Sequence, residues 1–184
     1  KSLLGKRVQA STLGGLMRRG AGNLSYQQIS DEIEKLQSVV GISSQQGVLN
    51  VNITSDRANL GKVLALVKTM LREPTFPQAE FDTMIKERIA GIEAGLTNPQ
   101  ALGPNAMQRA SAPFPKDSYF YVPTLEEQIA DIRATTLESV KAYYNNLVGP
   151  AKVEVAVVGD FDESEATAKI GDIFAGWQPK GEYK

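Results

Sequence analysis

The side chains that most often carry catalysis are missing from this sequence of 184 residues, which has no histidine and no cysteine. Without an imidazole no Ser-His-Asp arrangement can form. Without a thiol there is no cysteine nucleophile, thiolate metal site or disulfide framework. Zinc would have to be held by carboxylates alone, an unusual set for that ion. Acidic and cationic pairs remain. Glu126 and Glu127 are adjacent, and neighbours at i, i+1 point different ways on a helix. Asp160 and Asp162 sit in a turn signal after Gly159. Neither pattern supports glycoside hydrolysis or divalent-metal chemistry. Arg18 and Arg19 could meet a partner or the carboxylates of a peptide; the plainer reading is a helix end where the dipole favours cations. Asn50 and Asn52 share one face of a strand pattern and could hold an extended peptide by strand addition, or simply face solvent. Tyr119, Phe120 and Tyr121 form either an interaction patch or the packing of a loop on its own domain.

The elements that must position these residues follow from periodicity. Leu3, Leu4, Val8, Leu13, Leu16 and Met17 make a helical stripe that stops at Gly20-Ala21-Gly22, where Gly20 or Gly22 can supply the positive φ of a C-cap. Inside it, Gly14 and Gly15 cost about 2 kcal/mol of propensity relative to two alanines. They either make room for a substrate or facing surface, or let the helix pack closely on a neighbour. Ser25 and Gln28 read as a capping box for a helix burying Ile29, Ile33 and Leu36. Leu49, Val51 and Ile53 then alternate with polar residues as a strand, with a weaker strand over 38–44 and a turn at Gln45-Gln46-Gly47.

Leu60 to Leu71 marks a third helix, and Pro77 opens a fourth with Phe81, Ile85, Ile89, Ile92 and Leu96 on one face. A shorter helix over Ala101 to Ala110 follows the break at Asn98-Pro99, Pro104 leaving its start open. Residues 112–124 read as an ordered surface loop; Thr124 and Thr135-Thr136 open two more helices. Val153 to Val158, apolar except for Glu154, reads as a buried strand with Gly159-Asp160 as its exit turn, and Ser164 as the cap of a last helix. The chain reads as one helix-rich α+β domain over 1–184, a two-layer sandwich with a small, mostly antiparallel sheet.

Composition adds little direction. Hydrophobic residues at 42%, charged residues at 22% and a net charge of −1 are ordinary for a globular protein and give no argument for nucleic acid or an anionic membrane. No apolar run approaches the length of a membrane span. The abrupt start at Lys1, without Met and at the edge of a helical pattern, leads us to expect a piece of something longer.

Four segments together resemble a domain of the insulinase-like metallopeptidases, the family of pitrilysin and the mitochondrial processing peptidases. Gly20-Ala21 before Leu24-Ser25-Tyr26-Gln27-Gln28-Ile29 is similar to the family's Gly-Thr turn and capped helix. Glu73-Pro74-Thr75-Phe76-Pro77 through Phe81 resembles its P-x-F-x-x-x-x-F junction. Val155 to Asp162 resembles its V-V-V-G-D-x-D strand and turn, and Phe174-Ala175-Gly176-Trp177 its closing F-G-x-W. The resemblance covers nearly the whole chain.

The resemblance implies a specific comparison. Active members carry H-x-x-E-H on the first helix, two histidines binding zinc and the Glu activating its water. Anchored on Gly20, those positions fall on Ser11, Gly14 and Gly15, none of which can bind zinc or act as a base. The region of the third ligand is Glu87 to Glu93, where Glu93 is the nearest carboxylate and reads as solvated. The resemblance therefore implies an inactive half with no cofactor of its own, whose zinc lies in a catalytic half, fused or separate. The two halves would enclose a chamber in which peptides are cut, with neither nucleic acid nor membrane as partner. It further implies one or two strands ahead of the first helix, and a periplasmic location by analogy with exported bacterial relatives, with the cytoplasm as the alternative. The alternative is a scaffold subunit of the same fold without a peptidase partner.

Overall fold

The computed structural model describes residues 3–45, 47–118 and 120–178. Its centre is α1 (Arg7–Met17), on which Leu13, Leu16 and Met17 are at most 1% exposed. The helix begins later than the apolar stripe suggests. Gly5 has φ 72°, a left-handed turn that ends the helical path toward the N-terminus, and Leu4 is left exposed. At its other end the chain does not stop on a glycine cap. Arg18 is the C-cap in right-handed geometry, and β1 (Gly20–Ala21) pairs antiparallel with β2 (Leu24–Ser25) around Gly22 at φ 55°. The positive φ expected of Gly22 is present, used in a hairpin rather than a helix cap. Ala21 also bridges to Pro74, which ties this hairpin to the Glu73–Pro77 junction.

Ser25 caps α2 (Tyr26–Lys35) with the expected reciprocal bonds: Gln28 N–H donates to Ser25 Oγ at 3.3 Å, and Ser25 N–H donates to Gln28 Oε1 at 2.9 Å. Ile29 and Ile33 are its buried face. β3 (Val39–Gln45) and β4 (Val48–Thr54) form an antiparallel hairpin in the register Ile42↔Val51 and Val40↔Ile53. Gly47 has φ 80° in the connection; Gln46, the middle of the expected turn, lies outside the described residues. Val40 and Ile42 are buried on the hairpin's inner face, where β3 packs on α1.

The remaining helices are α3 (Arg57–Arg72), α4 (Gln78–Gly95), α5 (Pro99–Ser111), α6 (Leu125–Ala134), α7 (Leu137–Leu147) and α8 (Glu163–Phe174). α5 starts two residues before Ala101 because Asn98 accepts from Gln100 N–H at 3.0 Å and Pro99 suits the first helical position. Asp162, rather than Ser164, caps α8: its Oδ1 accepts from Glu165 N–H at 2.8 Å and from Ser164 Oγ at 2.6 Å. α4 and α7 pack on α1, α6 on α4, and α8 on α3. The result is helix-rich α+β with two small antiparallel sheets among the described residues.

One expected element is corrected. Val153 to Val158 is not a buried strand: it pairs with no strand among the described residues, and Val153, Val155, Val157 and Val158 are 43%, 54%, 38% and 97% exposed. An apolar run specifies an extended backbone, but burial needs a neighbour on its face and edge, and the described residues place none there.

Candidate functional site

Gly14 and Gly15 face different neighbours. A Cβ on Gly14 would fall 2.7 Å from the Ser43 carbonyl carbon and the Ser44 nitrogen, so α1 and β3 meet backbone to backbone there. Gly14 N–H donates to Ser44 Oγ at 2.7 Å, and Ser44 Oγ donates to the Ala10 carbonyl. Close packing accounts for Gly14. A Cβ on Gly15 would meet only the end of the Met84 side chain, at 3.0 Å.

Ser11 points toward α4. Its hydroxyl donates to the Val8 carbonyl at 3.1 Å and accepts from Arg88 Nη1 at 2.9 Å; the same Nη1 donates to Thr12 Oγ1 at 3.3 Å. Burial lowers the pKa of the half-buried Arg88 from its ordinary value. A cleft of about 430 Å³ opens between α1 and α4, lined by Ser11, Thr12, Arg19, Met84, Ile85, Glu87 and Arg88.

The zinc implied by the resemblance does not fit these residues. Ser11, Gly14 and Gly15 offer no imidazole or carboxylate, and a guanidinium stands against Ser11, which would repel a dication. Glu93 points elsewhere, pairing with Arg133 of α6 at 2.7 Å with both side chains about half exposed. Among the described residues no group of three or more acidic residues could hold a metal ion.

The residues read as partner or substrate contacts do not converge. Arg19 turns to α4, where it pairs with Glu80 at 3.0 Å and Glu87 at 3.5 Å and stacks over the Tyr26 ring at 5.0 Å. Arg18 caps α1 with a buried Nε that has no hydrogen-bond partner among the described residues. Asn50 and Asn52 are exposed on the face of the hairpin opposite α1. Tyr119 lies outside the described residues; Phe120 is exposed and packs on Phe114 with ring centroids 5.3 Å apart. Tyr121 is held in the loop through a 2.6 Å bond from its hydroxyl to Glu127 Oε2.

Arg88 was not among the candidates raised by the sequence. A charged residue on an amphipathic helix ordinarily reads as solvated. The available signal was its spacing, three residues after Ile85 and four after Met84, which places it on the apolar face of α4.

Comparison with known proteins gives the same class. Residues 134–184 match the family model described as the peptidase M16 inactive domain. The structure is similar to the peptidase M16 inactive domain from Pseudomonas fluorescens, with TM-score 0.78 and 20% identity over 97% of this chain and 43% of that one. It is likewise similar to a protease from Helicobacter pylori, with TM-score 0.79 and 18% identity over 98% of this chain and 43% of that one. A weaker likeness, TM-score 0.52 and 13% identity over 74% of this chain and 14% of that one, links it to a mutant of the ferredoxin protease FusC in complex with Arabidopsis ferredoxin. No curated protein matches the chain in sequence. The chain spans less than half the length of the solved chains to which it is similar. The chain thus matches the M16 peptidase inactive-domain model over residues 134–184 and shares the fold of the solved inactive domain; it has no histidine for an H-x-x-E-H motif, and no metal-binding cluster is found among the described residues.

Proposed function

We propose that the chain is a non-catalytic domain of an insulinase-like zinc peptidase, forming one wall of a peptide chamber and a docking and substrate-binding surface opposite a catalytic half. The observation that carries this reading is what has become of the zinc positions. Gly14 is committed to β3 and Ser11 to a guanidinium, so α1 is kept as the centre of the fold while its chemistry is gone. A domain retained in this form needs a catalytic partner, fused or separate, to take part in proteolysis. The setting we propose is periplasmic, by analogy with the exported bacterial members of the family the chain resembles.

Affinity purification from the source organism tests the reading. We expect the chain to come down with, or continue into, a polypeptide carrying H-x-x-E-H, and chelator-sensitive peptide cleavage to need both halves. Recovery with membrane-complex subunits lacking that motif would support the scaffold alternative. Stoichiometric zinc and cleavage by the chain alone would overturn the proposal. Fractionation of the same cells tests the compartment, and a cytoplasmic pool would remove that part of the reading.

A further inference from the structure

We infer that the cleft between α1 and α4 binds a peptide carboxylate on the guanidinium of Arg88. The inference stands on the cleft itself and is independent of whether a catalytic half exists.

Arg88 differs from the other arginines that reach across elements. Arg19, Arg57 and Arg133 each meet a carboxylate, Arg72 meets two carbonyls, and Arg7 meets the Tyr121 carbonyl. Arg88 meets only hydroxyls, and among the described residues it forms no ion pair. A half-buried guanidinium gives up hydration that two neutral oxygens replace poorly, so a cation in this position favours an anion from outside.

The geometry leaves room for that anion. Nη1 is anchored to Ser11 and Thr12, while Nε and Nη2 have no protein partner among the described residues. Neither nitrogen is sealed off from the cleft or solvent without a partner. An arginine held on one side and open on the other presents a fixed fork for a carboxylate, with little rotamer entropy left to lose on binding. The Ser11 hydroxyl gives its proton to Val8, so it holds the guanidinium and does not compete for the ligand.

The walls select further. Met84 and Ile85 supply apolar surface beside the charge. The volume of about 430 Å³ lies within the range of small-ligand sites and suits a residue or two of peptide rather than a bare ion. Glu87 also lines the cleft, exposed and loosely tied to Arg19 at 3.5 Å. It disfavours an incoming carboxylate, so a Glu87→Gln change makes the site more receptive.

The test uses the 184-residue chain and fluorescein-labelled tripeptides read by fluorescence anisotropy. One probe ends in leucine with a free carboxylate, the second is its amide, and the third is an amide carrying a glutamate before the leucine. We expect the free acid, the glutamate amide or both to bind about tenfold or more tightly than the plain amide. Which of the two binds identifies a chain terminus or an acidic side chain as the source. Arg88→Gln should reduce binding to the level of the plain amide, and Glu87→Gln should raise it about two- to threefold. Amide chemical-shift changes should centre on Ser11, Thr12 and Arg88. Equal binding of all three probes, no binding of any, or undiminished binding by a folded Arg88→Gln variant would overturn the inference. If Arg88→Gln does not fold, the Glu87→Gln gain and the location of the shifts decide.

Discussion

At the scale of single residues, two adjacent glycines in α1 should behave oppositely. Gly14→Ala pushes a methyl group into the backbone of β3, which cannot yield without moving the strand. The expected cost is about 1–3 kcal/mol, offset by about 1 kcal/mol of helix propensity, for a net loss. Gly15→Ala meets only the tip of Met84, which can turn aside, so the propensity gain should leave the chain unchanged or slightly more stable. Urea unfolding midpoints of the two variants check this; equal midpoints would show that α1 and β3 do not meet as described. The pattern of Ser11, Gly14 and Gly15 was legible in the sequence because absence of chemistry can be read from residue types. Which glycine packs and which does not was not legible, since it depends on what the fold sets against each Cα. The face on which Arg88 lies could be read from its spacing, but what it meets there could not, for the same reason.

At the scale of elements, local signals proved the most readable. The box at Ser25 and the cap at Thr124, which the structure shows to be a box with Glu127, are written in residues three apart and need no tertiary information. Thr124→Ala should cost about 1 kcal/mol of stability, measured by thermal unfolding. The partner in that box, Glu127, does more than cap. Hydrogen bonds from Lys116, Tyr121 and the Thr124 backbone hold its carboxyl down to about 2 from an ordinary 4.5. A depressed carboxyl contributes its full stabilisation above the ordinary value and loses it as pH falls toward the folded one. The loop over 112–124 should therefore loosen between about pH 4.5 and 2, seen as faster amide hydrogen exchange at Tyr121, and Glu127→Gln should abolish that pH dependence. The strand expected at 153–158 failed for the converse reason. Its residue types specify extended backbone, but pairing is a property of two segments, and among the described residues no strand pairs with this one.

At the scale of the whole molecule, that unpaired segment sets the solution behaviour of the chain. Four exposed valines on an extended backbone, with edges that pair with no strand among the described residues, invite association with another edge. The isolated chain should self-associate with rising concentration. Val158→Lys, at a side chain 97% exposed, should suppress this without lowering the melting temperature. Analytical ultracentrifugation of the two proteins checks the expectation, and unchanged association would locate the sticky surface elsewhere.

The end of the chain is held by a different kind of contact. α8 lies on α3 through Lys68 to Asp172 at 2.7 Å, and Arg72 donates to the carbonyls of Ile173 and Ala175 while its guanidinium sits 5.2 Å over the indole ring of Trp177. Trp177 is the single tryptophan of the sequence. The chain thus carries its own optical reporter, placed on the seam that joins its last helix to the rest. Emission from that one indole, followed as salt weakens the Lys68–Asp172 pair, would separate undocking of α8 from global unfolding with no label added.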